Sequence, residues 1–214
     1  MFTNYSGKKV LVLAPHTDDG ELGCGGTIAK LTAQGAEVYY MVFSSCSRSL
    51  PSGMASNTLE KEVVKALVIL GIPFQRLILL NYDVRTFNTY RQEILEDMIK
   101  FRNEFKPDLV FLPSQTDIHQ DHEVISKEGI RAFKNTNILG YEMPWNNLSF
   151  NTTCFSKLND NLILQKINAL KEYESQGHRP YFNDVFIRSL AYTRGVQIGA
   201  QYAEAFEVIR WIWS

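Results

Sequence analysis

The chain has 214 residues, 45% of them apolar, enough to bury a sizeable core within one domain. Basic and acidic residues nearly cancel, leaving a formal net charge of -1 and a pI near 6.4, so there is no polybasic field to draw nucleic acid or an anionic membrane. No apolar run reaches the ~18 residues of a membrane span, Met1 to Tyr5 lack the regions of an export signal, and the cysteines Cys24, Cys46 and Cys154 form no CxxC pair, which together predict a soluble, cytoplasmic protein.

Lys9 to Pro15 is short, apolar and β-branched, as in a strand buried on both faces. The pattern then predicts a helix from Leu22 to Gln34, a strand from Glu37 to Phe43, a helix from Asn57 to Leu70 closed by Gly71, and a strand from Leu77 to Leu80. A helix from Thr89 to Phe105 and a buried strand from Pro107 to Pro113 follow. Beyond them come a helix from Asp121 to Phe133, a strand from Ile138 to Glu142, a polar loop from Asn146 to Thr153, a helix from Leu158 to Ser175, and a returning strand in the tail Tyr202 to Trp213. Strands alternating with helices predict an α/β fold: a Rossmann-like, doubly wound, mostly parallel sheet with helices on both faces. With no repeat, linker or low-complexity tract, residues 1–214 are expected to form a single domain. The apolar tail Val208 to Trp213 suits either a homo-oligomer interface or closure of the core.

Ligands of open α/β sheets bind beyond the carboxyl ends of the strands, and two polar clusters fall there. His16-Thr17-Asp18-Asp19-Gly20-Glu21 follows the first strand, and Asp117-Ile118-His119-Gln120-Asp121-His122 follows the strand ending at Pro113. Three of the four histidines lie in these clusters. His16 and Asp19, like His119 and His122, are three apart, which turns both side chains of each pair to one face if a helical turn begins there. A catalytic zinc takes three such ligands and keeps a position for water. Either cluster alone is more readily read as a helix cap or as ordinary polar residues; the pair at the strand ends of one sheet favours a metal site. The glycines Gly20, Gly23, Gly25 and Gly26 run GxxGxGG rather than GxGxxG, and the acidic pair beside them would repel a pyrophosphate, so they are read as close packing of the first helix.

These residues resemble the PIG-L/LmbE family of metal-dependent N-deacetylases. The family's first motif, typically AHPDDE followed by a GG pair, corresponds to Pro15-His16-Thr17-Asp18-Asp19-Gly20 with Gly25-Gly26-Thr27, and its HxDH motif corresponds to His119-Gln120-Asp121-His122. Glu62 to Gly71, Tyr173 to Gln176 and Tyr202 to Phe206 are also similar to family segments. The resemblance implies His16, Asp19 and His122 as ligands of one Zn2+ or another divalent transition metal, Asp18 as general base and His119 as the charged partner of the tetrahedral intermediate. It implies a small N-acetylglucosamine-type sugar as substrate. Three departures stand out: Thr17 replaces the usual Pro, Gly20 replaces the Glu that closes the first motif with Glu21 one place later, and Leu59 stands where an Arg is common.

The residue chemistry adds Asp121 as the carboxylate expected to keep His119 cationic. Arg48, Asp83 and Arg85, just beyond the second and third strands, are candidate substrate contacts, the arginines suiting a nucleotide-linked sugar. Trp145 reads either as a sugar-stacking ring or as a core residue. Alternatives are a metal-dependent amidohydrolase acting on a non-sugar amide, which would keep the same site, a phosphoesterase, which ordinarily needs a second metal, and a non-catalytic sugar-binding module, against which Asp18 and His119 argue.

Overall fold

A computed structural model describes residues 5–213; Met1 to Asn4, part of the segment read above for an export signal, lie outside them. The strands are β1 (Lys9–Ala14), β2 (Glu37–Val42), β3 (Leu77–Leu79), β4 (Leu109–Pro113), β5 (Asn137–Tyr141), β6 (Cys154–Leu158) and β7 (Tyr202–Arg210). The helices are α1 (Asp19–Ala33), α2 (Thr58–Ile69), α3 (Arg91–Phe105), α4 (Gln120–Ala132), α5 (Asp160–Lys171) and α6 (Asp184–Val196).

All the strands form one sheet in the order β3-β2-β1-β4-β5-β7-β6. Pairings from β3 through β5 are parallel, whereas β7 runs antiparallel to both β5 and β6. The two-residue alternation of a strand divides β1 between two cores. Val10, Val12 and Ala14 pack with Leu22 and Ile28 of α1, Val63 of α2, Ile163 of α5 and Ile187 of α6. Leu11 and Leu13 pack with Ile94 and Met98 of α3 and Ile125 of α4. The sheet is therefore doubly wound, as expected. After β3 the chain crosses to the far side of β1, so the strand order reverses between β1 and β4, and the crevice at their carboxyl ends is the topological switch point.

Helix α1 packs tightly and is broken. A Cβ on Gly26 would lie 2.6 Å from Leu158 of β6, and one on Gly23 would collide with the Tyr141 ring of β5, so at these positions the helix needs glycine to sit against the sheet. Cys24 leaves helical geometry (φ -145°, ψ 22°), which releases the N–H groups of Gly26 and Thr27. They donate to the two carboxylate oxygens of Glu204, at 2.9 and 2.7 Å. Lys166 Nζ bridges Glu204 Oε1 and the Leu22 carbonyl, each at 2.7 Å. A buried ion pair thus caps both sides of the break.

Two elements differ from the sequence reading. Cys154–Leu158 forms β6, the sheet's far edge, where nothing was assigned before a helix expected from Leu158, and Asp184–Val196 forms α6 where no element was predicted. Among the described residues no helix is long and apolar enough to cross a membrane.

Candidate metal centre

The loop after β1 and the loop after β4 open side by side at the switch point, and their donors converge. His16 Nδ1 lies 3.0 Å from Asp19 Oδ2, His122 Nε2 lies 3.2 Å from the same oxygen, and the two ring nitrogens are 3.3 Å apart. The far nitrogen of each ring meets a buried carboxylate: His16 Nε2 meets Asp121 Oδ2 at 3.1 Å, and His122 Nδ1 meets Asp117 Oδ2 at 2.7 Å. Asp19 Oδ2 also accepts the His16 backbone N–H at 2.8 Å.

These contacts set the tautomers. A neutral imidazole whose one N–H donates to Asp121 or Asp117 turns a bare lone pair toward Asp19. Two lone pairs and a carboxylate within 3.3 Å of one another repel unless positive charge sits among them. With protons in that place, burial works to lower both histidines but is outweighed by Asp19 with Asp121 for His16, raised to about 9, and by Asp19 with Asp117 for His122, raised to about 10. Burial works to raise Asp19, but His122 and His16 hold it well below the usual carboxylate range. A divalent cation supplies the same charge. Tetrahedral zinc with ligands at about 2.0–2.1 Å spaces its donors roughly 3.3 Å apart, and the triangle of His16, Asp19 and His122 fits.

His119 brings a third ring nitrogen within 4.8 Å of the other two histidines, a looser relation than the triangle. As the residue capping α4, its Nδ1 accepts the Asp121 backbone N–H at 3.2 Å, which leaves the Nε2 proton free to donate. The expectation that Asp121 keeps His119 cationic is corrected here: the Asp121 carboxylate is taken by His16 and by the Arg85 N–H at 2.6 Å. Burial, reinforced by His122 and His16, pushes His119 down to about 4, which favours the neutral ring.

Asp18 precedes α1 yet makes no side-chain cap hydrogen bond, so the helix-cap reading fails for it. Its half-buried carboxyl lines the cavity, and burial together with Asp19 raises it to about 6. Behind it, Thr17 is held by its carbonyl, which accepts from Tyr173 Oη at 2.7 Å and Tyr40 Oη at 3.3 Å. The same hydroxyls meet the buried Glu21 carboxyl, Tyr173 at 2.7 Å and Tyr40 at closer range, so each phenol shares its one proton between the carbonyl and the carboxyl. Gly20 has no room for a side chain, because a Cβ would fall 2.5 Å from the Tyr40 ring. The acidic group that departs by one position from the usual motif is thus buried beneath the loop as its brace.

The cavity over this cluster has a volume of about 340 Å³, within the range of small-molecule sites. Of the expected substrate contacts, Arg85 lines it; Arg48 and Asp83 instead pair with each other at 3.1 Å on the exposed rim, outside the lining. Trp145 is neither a core residue nor alone: 37% exposed, it stacks on Tyr181 at 4.0 Å and 8°, and both line the cavity. Leu59 supplies an apolar wall. Sequence reasoning missed Asp117 as the support of His122, and Arg179 and Tyr181 as lining groups. Asp117 sat inside a recognised cluster, but Arg179 and Tyr181 lie past the family-like stretch Tyr173 to Gln176 and carried no signal of their own.

The PIG-L family, described as GlcNAc-PI de-N-acetylase, matches residues 11–133. An uncharacterized deacetylase of Escherichia coli, YaiS, is 32% identical over 176 residues, covering 78% of this chain and 91% of that protein. The diacetylchitobiose deacetylase of Thermococcus kodakarensis is 25% identical, covering 94% of this chain and 83% of its own. Among solved structures, the N,N'-diacetylchitobiose deacetylase of Pyrococcus horikoshii superposes with a TM-score of 0.78 at 24% identity, over 94% of this chain and 84% of its own, a likeness of fold. With its matched segment spanning both histidine clusters, this chain belongs to the PIG-L family.

Proposed function

We propose that this chain is a zinc-dependent N-deacetylase that hydrolyses the acetamido group of an N-acetylated amino sugar, releasing acetate and the free amine. The observation that carries the reading is the triangle of His16, Asp19 and His122 donors, 3.0–3.3 Å apart, with the uncommitted Asp18 carboxyl on the same cavity. His16, Asp19 and His122 would hold one zinc per chain; when bound, it supplies Lewis acidity to the acetamide oxygen and to the attacking water. Asp117 and Asp121 keep the rings of His122 and His16 in the required tautomer.

Asp18 takes a proton from the water as it adds to the carbonyl carbon. Once protonated, Asp18 is the acid on hand for the departing nitrogen, and its upward-shifted pKa suits both directions of transfer. His119, neutral and with its Nε2 proton unspent, donates a hydrogen bond to the oxygen on which charge develops. The stacked Trp145 and Tyr181 give the cavity an aromatic wall for a sugar face, which favours a sugar over a simple amide.

Asp18→Asn tests the assignment. The variant is expected to keep one zinc per chain and lose about 10²- to 10⁴-fold in kcat. Full activity with metal bound would remove Asp18 as the base.

A further inference from the structure

Most arginines of this chain that form ion pairs do so away from the cavity: Arg48 reaches Asp83, Arg91 and Arg131 reach Glu128, Arg188 reaches Asp160, and Arg194 reaches Glu142. The two arginines that line the cavity, Arg85 and Arg179, have no carboxylate within ion-pair distance among the described residues.

Arg179 is nevertheless fixed. Its Nε donates to Gln176 Oε1 and its Nη1 to Tyr181 Oη, each at 2.7 Å. Its guanidinium lies 5.9 Å from the Tyr181 ring centroid, and that ring is itself stacked on Trp145. Both hydrogen-bond partners are neutral, so they orient the fork without cancelling its charge. A guanidinium has five N–H donors, and the rest, including both on Nη2, are unspent. Such a pre-set planar fork matches a carboxylate or phosphate better than a lone hydroxyl.

Arg85 is held at its backbone. Among the described residues it is one of three non-glycines with positive φ, at 67°, a conformation that costs about 1 kcal/mol or more. Its N–H donates to Asp121, the carboxylate that orients His16. The strained residue is therefore anchored to the support of the metal centre while its side chain lines the cavity. Arg85 is exposed and the Asp18 carboxyl shares the cavity, but Arg179 is half-buried and its Nη2 donors meet no carboxylate among the described residues, so the lining has a place for a ligand that brings negative charge.

We propose that the substrate is an acidic N-acetylated sugar, and that its carboxylate or phosphate is bound by Arg179 together with Arg85, which makes Arg179 the specificity-determining residue. The inference rests on the deacetylase reading for the fate of the acetyl group but not for the anion site.

The test uses the zinc-loaded full chain and has two arms. Calorimetry compares binding of glucosamine with glucosamine 6-phosphate, glucosamine 1-phosphate and muramic acid; acetate release compares kcat/KM for the N-acetylated forms of the same four. Acidic sugars are expected to bind and turn over about 10- to 100-fold better than the neutral-headed parent, the worth of one charge-assisted contact. The better of the phosphate and carboxylate arms identifies the anion. Arg179→Met is expected to remove that advantage, lowering kcat/KM for the acidic sugar at least tenfold more than for the parent, and Arg179→Lys to restore part of it. Equal binding of glucosamine and its acidic relatives, or an equal effect of Arg179→Met on both, would overturn the proposal while acetate release left the deacetylase reading standing. Tight, Arg179-dependent binding of the acidic sugars without acetate release from any would sustain the anion site and sink the deacetylase reading instead.

Discussion

At the residue scale the centre is a matter of which atom each ring turns inward. Asp121 and Asp117 take one nitrogen of His16 and His122 respectively, at 3.1 and 2.7 Å, and so aim the other at Asp19. Replacing either by Asn keeps shape and hydrogen bonding but removes the charge that makes the ring a strong ligand. Asp117→Asn and Asp121→Asn are each expected to weaken zinc affinity about 10- to 100-fold, read by competition with a chromogenic chelator, with little change in the far-ultraviolet circular dichroism. Unchanged affinity would mean that backbone geometry alone sets the rings. The three donors were legible in the sequence because His16 and Asp19 are neighbours on one turn and His122 repeats the spacing at a second strand end. The place of the Asp121 carboxylate was not legible. Asp121 is the sequence neighbour of His119, yet the helix start turns the Asp121 carboxylate toward His16, more than a hundred positions earlier in the chain, and adjacency in sequence misassigned it.

At the element scale, α1 carries the strain of bringing the first motif to the sheet. Its break at Cys24 is satisfied by Glu204 and Lys166, from β7 and α5. Lys166→Met would leave a carboxylate buried without its cation and is expected to cost about 3–5 kcal/mol in urea unfolding; a loss under about 1 kcal/mol would show that the two backbone donors suffice. Gly20→Ala tests the packing beneath the catalytic loop. The added methyl would press on Tyr40, and about 1–3 kcal/mol is expected to be lost, whereas an unchanged midpoint would mean that the ring yields freely. The glycine run was readable as close packing, but not what it packs against, since Leu158, Tyr141 and Tyr40 lie on other strands. Helix α6 escaped for a different reason. It buries only Ile187, Ala191 and Gly195, a narrow stripe of mostly small residues, and exposes Val185, Tyr192 and Val196, which blurs the helical period. Edge strand β6 is short and half-covered, with too few residues for alternation to register.

At the scale of the whole molecule, topology creates the site. Fully buried β1 and β4 announced themselves as apolar runs, and the helix after each marked a strand end, so the parallel, doubly wound core could be read without coordinates. The returning strand of the tail was read, but not that it pairs antiparallel between β5 and β6, nor that Gln176, Arg179 and Tyr181 come to line the cavity. Long-range pairing of that kind leaves no local pattern. A metal-dependent deacetylase at the β1/β4 crevice is tested by acetate release from N-acetylated amino sugars, neutral and acidic, with zinc-loaded protein beside a chelator-treated sample. Release is expected to disappear with the chelator, return with zinc and be lost in Asp18→Asn. Release that persists after metal removal, or none from any sugar with zinc bound, would contradict that assignment.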